Sequence, residues 1–377
     1  MIGRSRTNRF VVLEWWRSID RVTLGLFVAL LIFGLVLSMA ASPAAANRLG
    51  YDNPFFFLMR QSLFVTMGFF GAIIVSMMPI NNARRIAVLA LIGAVIVMVL
   101  LPEFGNKVKG STRWIRIGPL SLQPSEFAKP GFVVFAAWMF SVRKKSPEFP
   151  GVAILFIVYV LLIFLLINQP DFGQSFLLTM IFGAVFFYAG LSLRWMVILA
   201  GLSLVGSLAA FNFLPHVNDR ISRFLNPEGS DTYQTDKALE AIANGGLFGR
   251  GPGEGSIKNQ LPDAHTDFIF AVAVEEFGFL LSVGLVFLLA AFVARSFRNA
   301  LHLTDYFSQL AVAGLATMIG LQTMINLAVN LNIAPPKGMT LPFISYGGSS
   351  MLAMSFSAGL ILAFSRKRPG AYGFGVV

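Results

Sequence analysis

Residues 260–294 read QLPDAHTDFIFAVAVEEFGFLLSVGLVFLLAAFVA. From Asp267 to Ala294 the run is long enough to cross ~30 Å of hydrocarbon as a helix rising ~1.5 Å per residue. Yet His265 and Asp267 stand at its mouth, and Glu275 and Glu276 stand inside it. An ionised carboxylate is expensive in lipid and is kept where a cavity, a partner or chemistry compensates for it. The stretch therefore predicts a membrane span and marks Asp267 as the first residue to interrogate.

The composition agrees about the solvent. Of 377 residues 56% are apolar and only 12% charged, with 38 Phe and a mean hydropathy of +0.73, whereas soluble domains carry roughly a quarter charged residues. The first apolar run is long and lacks a nearby small-residue cleavage site, so it reads as a retained span and not a signal peptide. With no cysteine, disulfides and thiolate chemistry are excluded. A metal site would need carboxylates or the three histidines.

Ten apolar runs are long enough to span, near residues 22–40, 56–79, 85–101, 125–142, 152–168, 174–191, 194–213, 267–294, 308–331 and 348–365. The fold expected is all-α and integral to the membrane: a polytopic bundle of ten transmembrane helices with a long extracytoplasmic loop, 214–266, between spans 7 and 8. Basic residues of the short loops cluster on the side that holds both termini, among them Arg84, Arg85, Arg143, Lys144, Lys145, Arg194, Arg295, Arg298 and Arg366. By the positive-inside rule that side is cytoplasmic. Residues 1–21 form a cytoplasmic N-terminal segment, 22–365 the membrane domain and 366–377 a cytoplasmic tail. The net charge of +11 follows from topology and attraction to anionic lipid, with no nucleic-acid partner expected.

The outward loops are less generic. Lys107, Lys109, Arg113 and Arg116 surround Trp114 in KVKGSTRWIRIGPLSLQPSEFAKP, 107–130, against the positive-inside trend, a grouping that suits a phosphate-bearing ligand or a charged surface hairpin. Glu126 and Lys129, at i and i+3, can pair on one helix face. The loop from Asn218 to Ser256 holds Arg220 and Arg223, an amphipathic helix around 236–243 at the membrane surface, and glycines at 245, 246, 249, 251, 253 and 255. It lacks the Walker spacing and a preceding strand, which argues against an NTPase. Asp171 reads as a cap of the sixth span. Gln322, Asn326 and Asn330 recur every four residues as a polar stripe facing other helices or a wet cavity. The NIAPPKGMTLPFISYGGSS stretch, 332–350, is too rich in Pro and Gly for a helix, and its Lys337 points into an outer vestibule.

If a helix begins at Asp267, Glu275 lies about 80° round from it and about 12 Å deeper, and Glu276 about 180° round. Neither glutamate then forms a close acid–base pair with Asp267. Asp267 itself reads as a helix N-cap or as a base.

Taken together, KGSTRW (109–114), QPSE (123–126) with Lys129, QPDFGQ (169–174), Arg220 to Pro227 with Tyr233 and Gln234, LPDAHTDFIF with EEFG, and PPKGMTLPFISYGGSS (335–350) resemble the SEDS family of ten-span peptidoglycan glycosyltransferases, in the family's order and over essentially the whole chain. Lys337, Gly338 and TLPFISYGGSS are more like the family's cell-division members than its elongation members. Asp263, Ala238 and Val274 depart from the family's usual Glu, Ser and Gly.

The resemblance implies polymerisation of lipid II on the outer face of the bacterial inner membrane, at the septum, with Asp267 matching the family's essential aspartate. Joining sugars by displacing a polyprenyl pyrophosphate needs a base for the acceptor hydroxyl and cations for the leaving diphosphate. Candidate substrate-binding residues are Lys107, Lys109, Arg113, Arg116, Arg220, Arg223, His265, Lys337 and Ser345, supported by Glu126, Lys129, Glu275, Gln322 and Asn326. A divalent cation, magnesium or manganese, is compatible with diphosphate chemistry, although no ligand cluster demands one. The implied partners are lipid II, a class B penicillin-binding protein of the FtsI type, other division proteins and membrane lipid. Transport of lipid II, elongation-type polymerisation and a scaffold role are the competing readings.

Overall fold

The computed structural model describes residues 12–108, 111–118, 120–226 and 232–367. Its long helices are α1 (Arg21–Leu49), α2 (Phe56–Met77), α3 (Ile80–Phe104), α4 (Pro124–Lys145), α5 (Gly151–Asn168), α6 (Phe172–Tyr188), α7 (Leu193–Phe213), α8 (Pro215–Leu225), α9 (Tyr233–Gly245), α10 (Ile269–Leu301), α11 (Tyr306–Asn330) and α12 (Gly348–Phe364). Local chemistry starts and stops several of them. Asp20 caps α1 through Val22 N–H, and Gly50, at φ +75°, ends it in the left-handed conformation. Asp171 caps α6 and Asp305 caps α11.

Each of the ten apolar runs is helical, the eighth with a break. Six of these, α1, α2, α3, α5, α10 and α11, are long and apolar enough to cross a membrane. Of the others, α4 carries Glu126, Lys129 and three basic residues at its end, and α6 and α12 are 17 residues long. Then α7 runs into α8 through a 93° bend, at Leu214 followed by Pro215, because the residue before proline is driven from the helical region. Large side chains such as Ile157, Phe164 and Phe287 are exposed along the outer faces. Such an apolar exterior is the mark of a protein solvated by lipid.

The helices meet through small residues. A Cβ on Gly68 would lie 2.5 Å from Ser355 Oγ, one on Gly359 2.8 Å from Ala72, and one on Gly131 2.8 Å from the Ala87 carbonyl. Small residues let backbones approach where lipid removes the hydrophobic drive between helices. Phe27, Phe132, Phe182, Phe292 and Phe343 fill the interior.

Three expectations are corrected. The fold is not purely helical: between α3 and α4 lies an antiparallel meander, β1 (Asn106–Val108), β2 (Ser111–Ile117) and β3 (Leu120–Leu122). Strand β2 is mostly β-branched and aromatic or long side chains, STRWIRI, which suits a pleated surface. The helix forecast around 236–243 is α9, but Thr235, Ala238 and Ala241 are buried and the helix packs on α10, so protein and not a bare membrane surface takes its apolar face.

The third correction concerns α10, which is two helices broken at Gly278 (φ 84°, ψ 168°). The glycine-rich turn fills the break. Arg250 and Gly251 N–H donate to the Glu275 and Glu276 carbonyls, and Phe279 and Leu280 N–H donate to the Gly246 and Leu247 carbonyls, over 2.9–3.2 Å. Loop backbone thus replaces the lost helical bonds, which is the condition for irregular backbone inside a membrane protein. The approach is too close for side chains: a Cβ on Gly245 would sit 2.0 Å from the Val274 carbonyl oxygen, and one on Gly249 2.2 Å from that of Glu276.

Candidate functional site

Asp267 lies in the turn before α10 and not on the helix, whose N-cap is Phe268. The angles computed along a helix from Asp267 therefore do not apply. Capping falls instead to another helix: Ala271 N–H donates to Asn330 Oδ1 over 3.1 Å. The side-chain amides of Asn326 and Asn330 both donate to the Asp267 carbonyl over 2.9 Å. Asn326 also donates to the Met339 carbonyl over 2.7 Å. The polar stripe of α11 thus fixes the Asp267 peptide and the 332–347 loop together. The Asp267 carboxyl is half-buried and faces Gly338, where a Cβ would lie 3.7 Å from Oδ2.

A buried polar chain continues from the stripe. Gln322 donates to the Thr340 carbonyl over 3.1 Å and accepts from Lys129 Nζ at 2.8 Å. Lys129 holds both Glu126 oxygens at 3.0 Å, and Gln174 donates to Glu126 over 2.9 Å. Gln174 belongs to the α6 turn that Asp171 caps. Arg113 lies 3.7 Å from Asp171, donates to the Gln169 carbonyl over 3.1 Å and also to that of Pro170. Buried charges persist only when paired in this way.

Next to this chain is a cavity of about 80 Å³ whose lining includes Gly173, Val217, Arg220, Pro336 and Lys337. Arg220 is within electrostatic reach of Arg113, Asp171 and Asp267. Lys337 stands over the Phe176 ring at 4.5 Å, and burial pushes its ammonium below the usual lysine range. Two cations therefore line one small cavity, and Gly338, next to Lys337, meets Asp267. An anion entering it would relieve the desolvation of Lys337.

The remaining residues are distributed as follows. Arg116 is exposed, on the opposite face of β2 from Arg113, and Arg223 is exposed on α8. Lys107 lies in β1, and Lys109 falls outside the described residues. His265 packs at ring-centroid distances of 4.4 Å from Phe57 and 5.4 Å from Tyr346. Burial lowers its imidazole to about 4 against a weak opposing pull from Asp263, so it is neutral at pH 7. Ser345 Oγ accepts from Leu341 N–H over 2.8 Å and serves the loop's own turn. Glu275 accepts from Asn244 at 3.0 Å, Ile257 N–H at 2.7 Å and Lys258 N–H at 2.9 Å. Glu276 pairs with the buried Lys258 ammonium and accepts from Gly253 N–H at 3.2 Å.

Lys258 and Arg250, which fasten the glycine turn, escape a reading of the sequence because neither stands at helical spacing from its partner. The available signal is a pair of glutamates in an apolar run, which requires a cation from elsewhere. Among the described residues no three His, Asp or Glu side chains come together as a metal site.

Comparison with known proteins places this geometry among relatives. Residues 21–369 match the FtsW/RodA/SpoVE family, described as cell cycle protein. A probable peptidoglycan glycosyltransferase FtsW of Caulobacter vibrioides is 47% identical over 98% of this chain and 95% of its own. The corresponding protein of Trichlorobacter lovleyi is 36% identical over 92% and 93%. Among solved structures, a chain of a peptidoglycan synthase complex, reported for its coordination of polymerization and crosslinking, superposes with a TM-score of 0.76 at 28% identity, covering 92% of this chain and 97% of that one. The rod shape determining protein RodA of Thermus thermophilus gives 0.68 at 27%, covering 93% and 97%.

Proposed function

Since the chain belongs to the FtsW/RodA/SpoVE family, we propose that it is a peptidoglycan glycosyltransferase that polymerises lipid II into glycan strands during septal wall synthesis, with Asp267 as general base. The observation that carries the assignment is the Asp267 carboxyl facing Gly338, the neighbour of Lys337, which lines one cavity with Arg220. In this reading the Asp267 carboxylate takes the proton of the acceptor hydroxyl as its oxygen bonds to the donor's anomeric carbon. The bond from that carbon to the diphosphate breaks, and polyprenyl pyrophosphate departs with the electron pair. Arg220 and Lys337, backed by Arg113, hold the charge that develops. A single displacement inverts the anomeric centre and requires no covalent enzyme intermediate.

The ten apolar helices then serve as ten spans of one membrane domain, 22–365, in the bacterial inner membrane, with residues 1–21 and 366–377 cytoplasmic and 214–266 periplasmic. The distribution of basic residues in short loops supports this orientation. The working partner is a class B penicillin-binding protein of the FtsI type, a reading supported by the similarity to a peptidoglycan synthase complex.

The test uses purified protein with its partner and lipid II, comparing wild type with Asp267→Asn, which keeps size and removes the base. Loss of glycan polymer with retained lipid II binding is expected. Polymer formed at an undiminished rate would sink the assignment.

A further inference from the structure

The end of the bundle farthest from Asp267 holds a second and larger cavity, of about 280 Å³, where the start of α3, the end of α4 and the start of α11 converge. Its polar lining is Asn81, Arg84, Ser141, Lys145 and Asp305. Asp305 is already employed, accepting from Ser308 N–H at 3.0 Å and Ser308 Oγ at 2.6 Å as the cap of α11. The other four are different. Among the described residues none gives Arg84 or Lys145 a carboxylate, and none hydrogen-bonds to the Asn81 or Ser141 side chain.

This is not how the fold treats a structural cation at the same end. There Arg295 makes two 2.8 Å bonds to the two oxygens of Asp20. Arg84 is instead held by rings, 5.0 Å from the Trp138 centroid and 5.6 Å from that of Phe307. Aromatic faces fix a guanidinium plane and leave its N–H edge available, the arrangement that suits bidentate recognition of phosphate. Helix α3 also begins there, on Pro79, with no side-chain cap, which adds a partial positive charge to the same space. Among the described residues, a hydroxyl and an amide without a hydrogen-bond partner and two cations without a carboxylate converge on one cavity. Its volume is below the ~300–1,000 Å³ typical of sites for drug-sized ligands.

We propose that this cavity binds a phosphate anion, as carried by the headgroup of an anionic glycerophospholipid or supplied free, at the membrane face opposite the glycan-forming site. The proposal rests on these side chains alone and stands or falls independently of the assignment to Asp267.

The full-length protein, reconstituted in nanodiscs of phosphatidylcholine with or without phosphatidylglycerol, is released and weighed by native mass spectrometry to count retained lipid. Wild type should retain phosphatidylglycerol. Arg84→Gln/Lys145→Gln should retain it about thirtyfold more weakly, with each cation near a membrane surface worth ~1 kcal/mol and tenfold equal to ~1.4 kcal/mol. Arg85→Gln/Arg143→Gln removes the same charge from exposed positions that do not line the cavity and should leave retention nearly unchanged. Equal loss in both double variants would mean diffuse surface attraction and overturn the site. Lys145→Arg, which keeps the charge, guards against misfolding and should bind like wild type. Inorganic phosphate added in detergent separates the sources: displacement of the lipid, or thermal protection without lipid, assigns free phosphate to the same cavity. Lipid retention indifferent to phosphate assigns the headgroup. Wild type that prefers neither phosphatidylglycerol over phosphatidylcholine nor phosphate over chloride refutes the proposal.

Discussion

Asp267 and the pair Glu275–Glu276 are carboxylates of one apolar stretch, and the structure uses them in opposite ways. Glu275 and Glu276 are buried, and their oxygens are taken up by Asn244, Ile257, Lys258 and Gly253. Asp267 is half-buried, held by its backbone carbonyl while its carboxyl faces Gly338, next to Lys337 of the cationic cavity. A carboxylate enclosed by donors is a structural part, since its oxygens are already engaged. Asp267 is fixed through its peptide carbonyl, and in the proposed function its carboxyl acts on the acceptor hydroxyl. The difference predicts that substitutions at the two places act on different observables.

The largest effect belongs to Asp267→Asn. Removing the base should lower glycan polymerisation by about 10²–10⁴-fold, with an unfolding midpoint in detergent close to that of wild type. A midpoint lowered as far as that of a Lys258 variant would erase the contrast. Lys258→Met should do the reverse, leaving the Glu276 carboxylate buried without its cation and costing roughly 3–5 kcal/mol of stability. Adding Glu276→Leu to it should restore much of the loss, as read by denaturant unfolding of the single and double variants.

A smaller effect separates the two regions by pH. The His265 imidazole titrates at about 4 in the folded protein against its ordinary 6.5, so below 6.5 the unfolded chain takes up a proton that the folded chain refuses. Its contribution to stability is full above pH 6.5 and is lost as pH falls from 6.5 towards 4, by up to roughly 3 kcal/mol. His265→Phe should flatten unfolding midpoints across that window. The smallest expected effect is that of Asn326→Ala. Losing the amide that holds both the Asp267 and the Met339 carbonyls should reduce kcat about tenfold and raise KM, since the Asp267 carboxyl and the loop that carries Lys337 shift together. A change confined to KM would place Asn326 in binding.

What the sequence makes legible follows from physics that acts over short distances. The apolar runs announce helices through length, and Gln322, Asn326 and Asn330 announce a common face through their four-residue recurrence. The Glu126–Lys129 pair is legible for the same reason. Other features depend on chain segments far apart. The break at Gly278 is invisible to helical periodicity because its cause is the 246–251 turn, packed against it from some thirty residues upstream. The start of α10 beyond Asp267 depends on Asn330, which comes from a different helix. His265 and Ser345, candidates because of their position in outward motifs, instead sit in an aromatic cluster and a tight turn. Their chemistry admits both roles, and the packing of His265 is set by Phe57 and Tyr346, far away in the sequence.

The backbone exchange at Gly278 has a consequence for how this chain tolerates change. Surface loops ordinarily absorb an inserted or deleted residue with little harm. Between Gly245 and Gly251 the count of residues is fixed by the span on which the loop is threaded: four hydrogen bonds must be met in register by Gly246, Leu247, Arg250 and Gly251. One residue more or fewer would move every donor and acceptor out of step and strand the carbonyls of Glu275 and Glu276 within the protein. This turn therefore carries the length constraint of a membrane helix while having the composition of a linker.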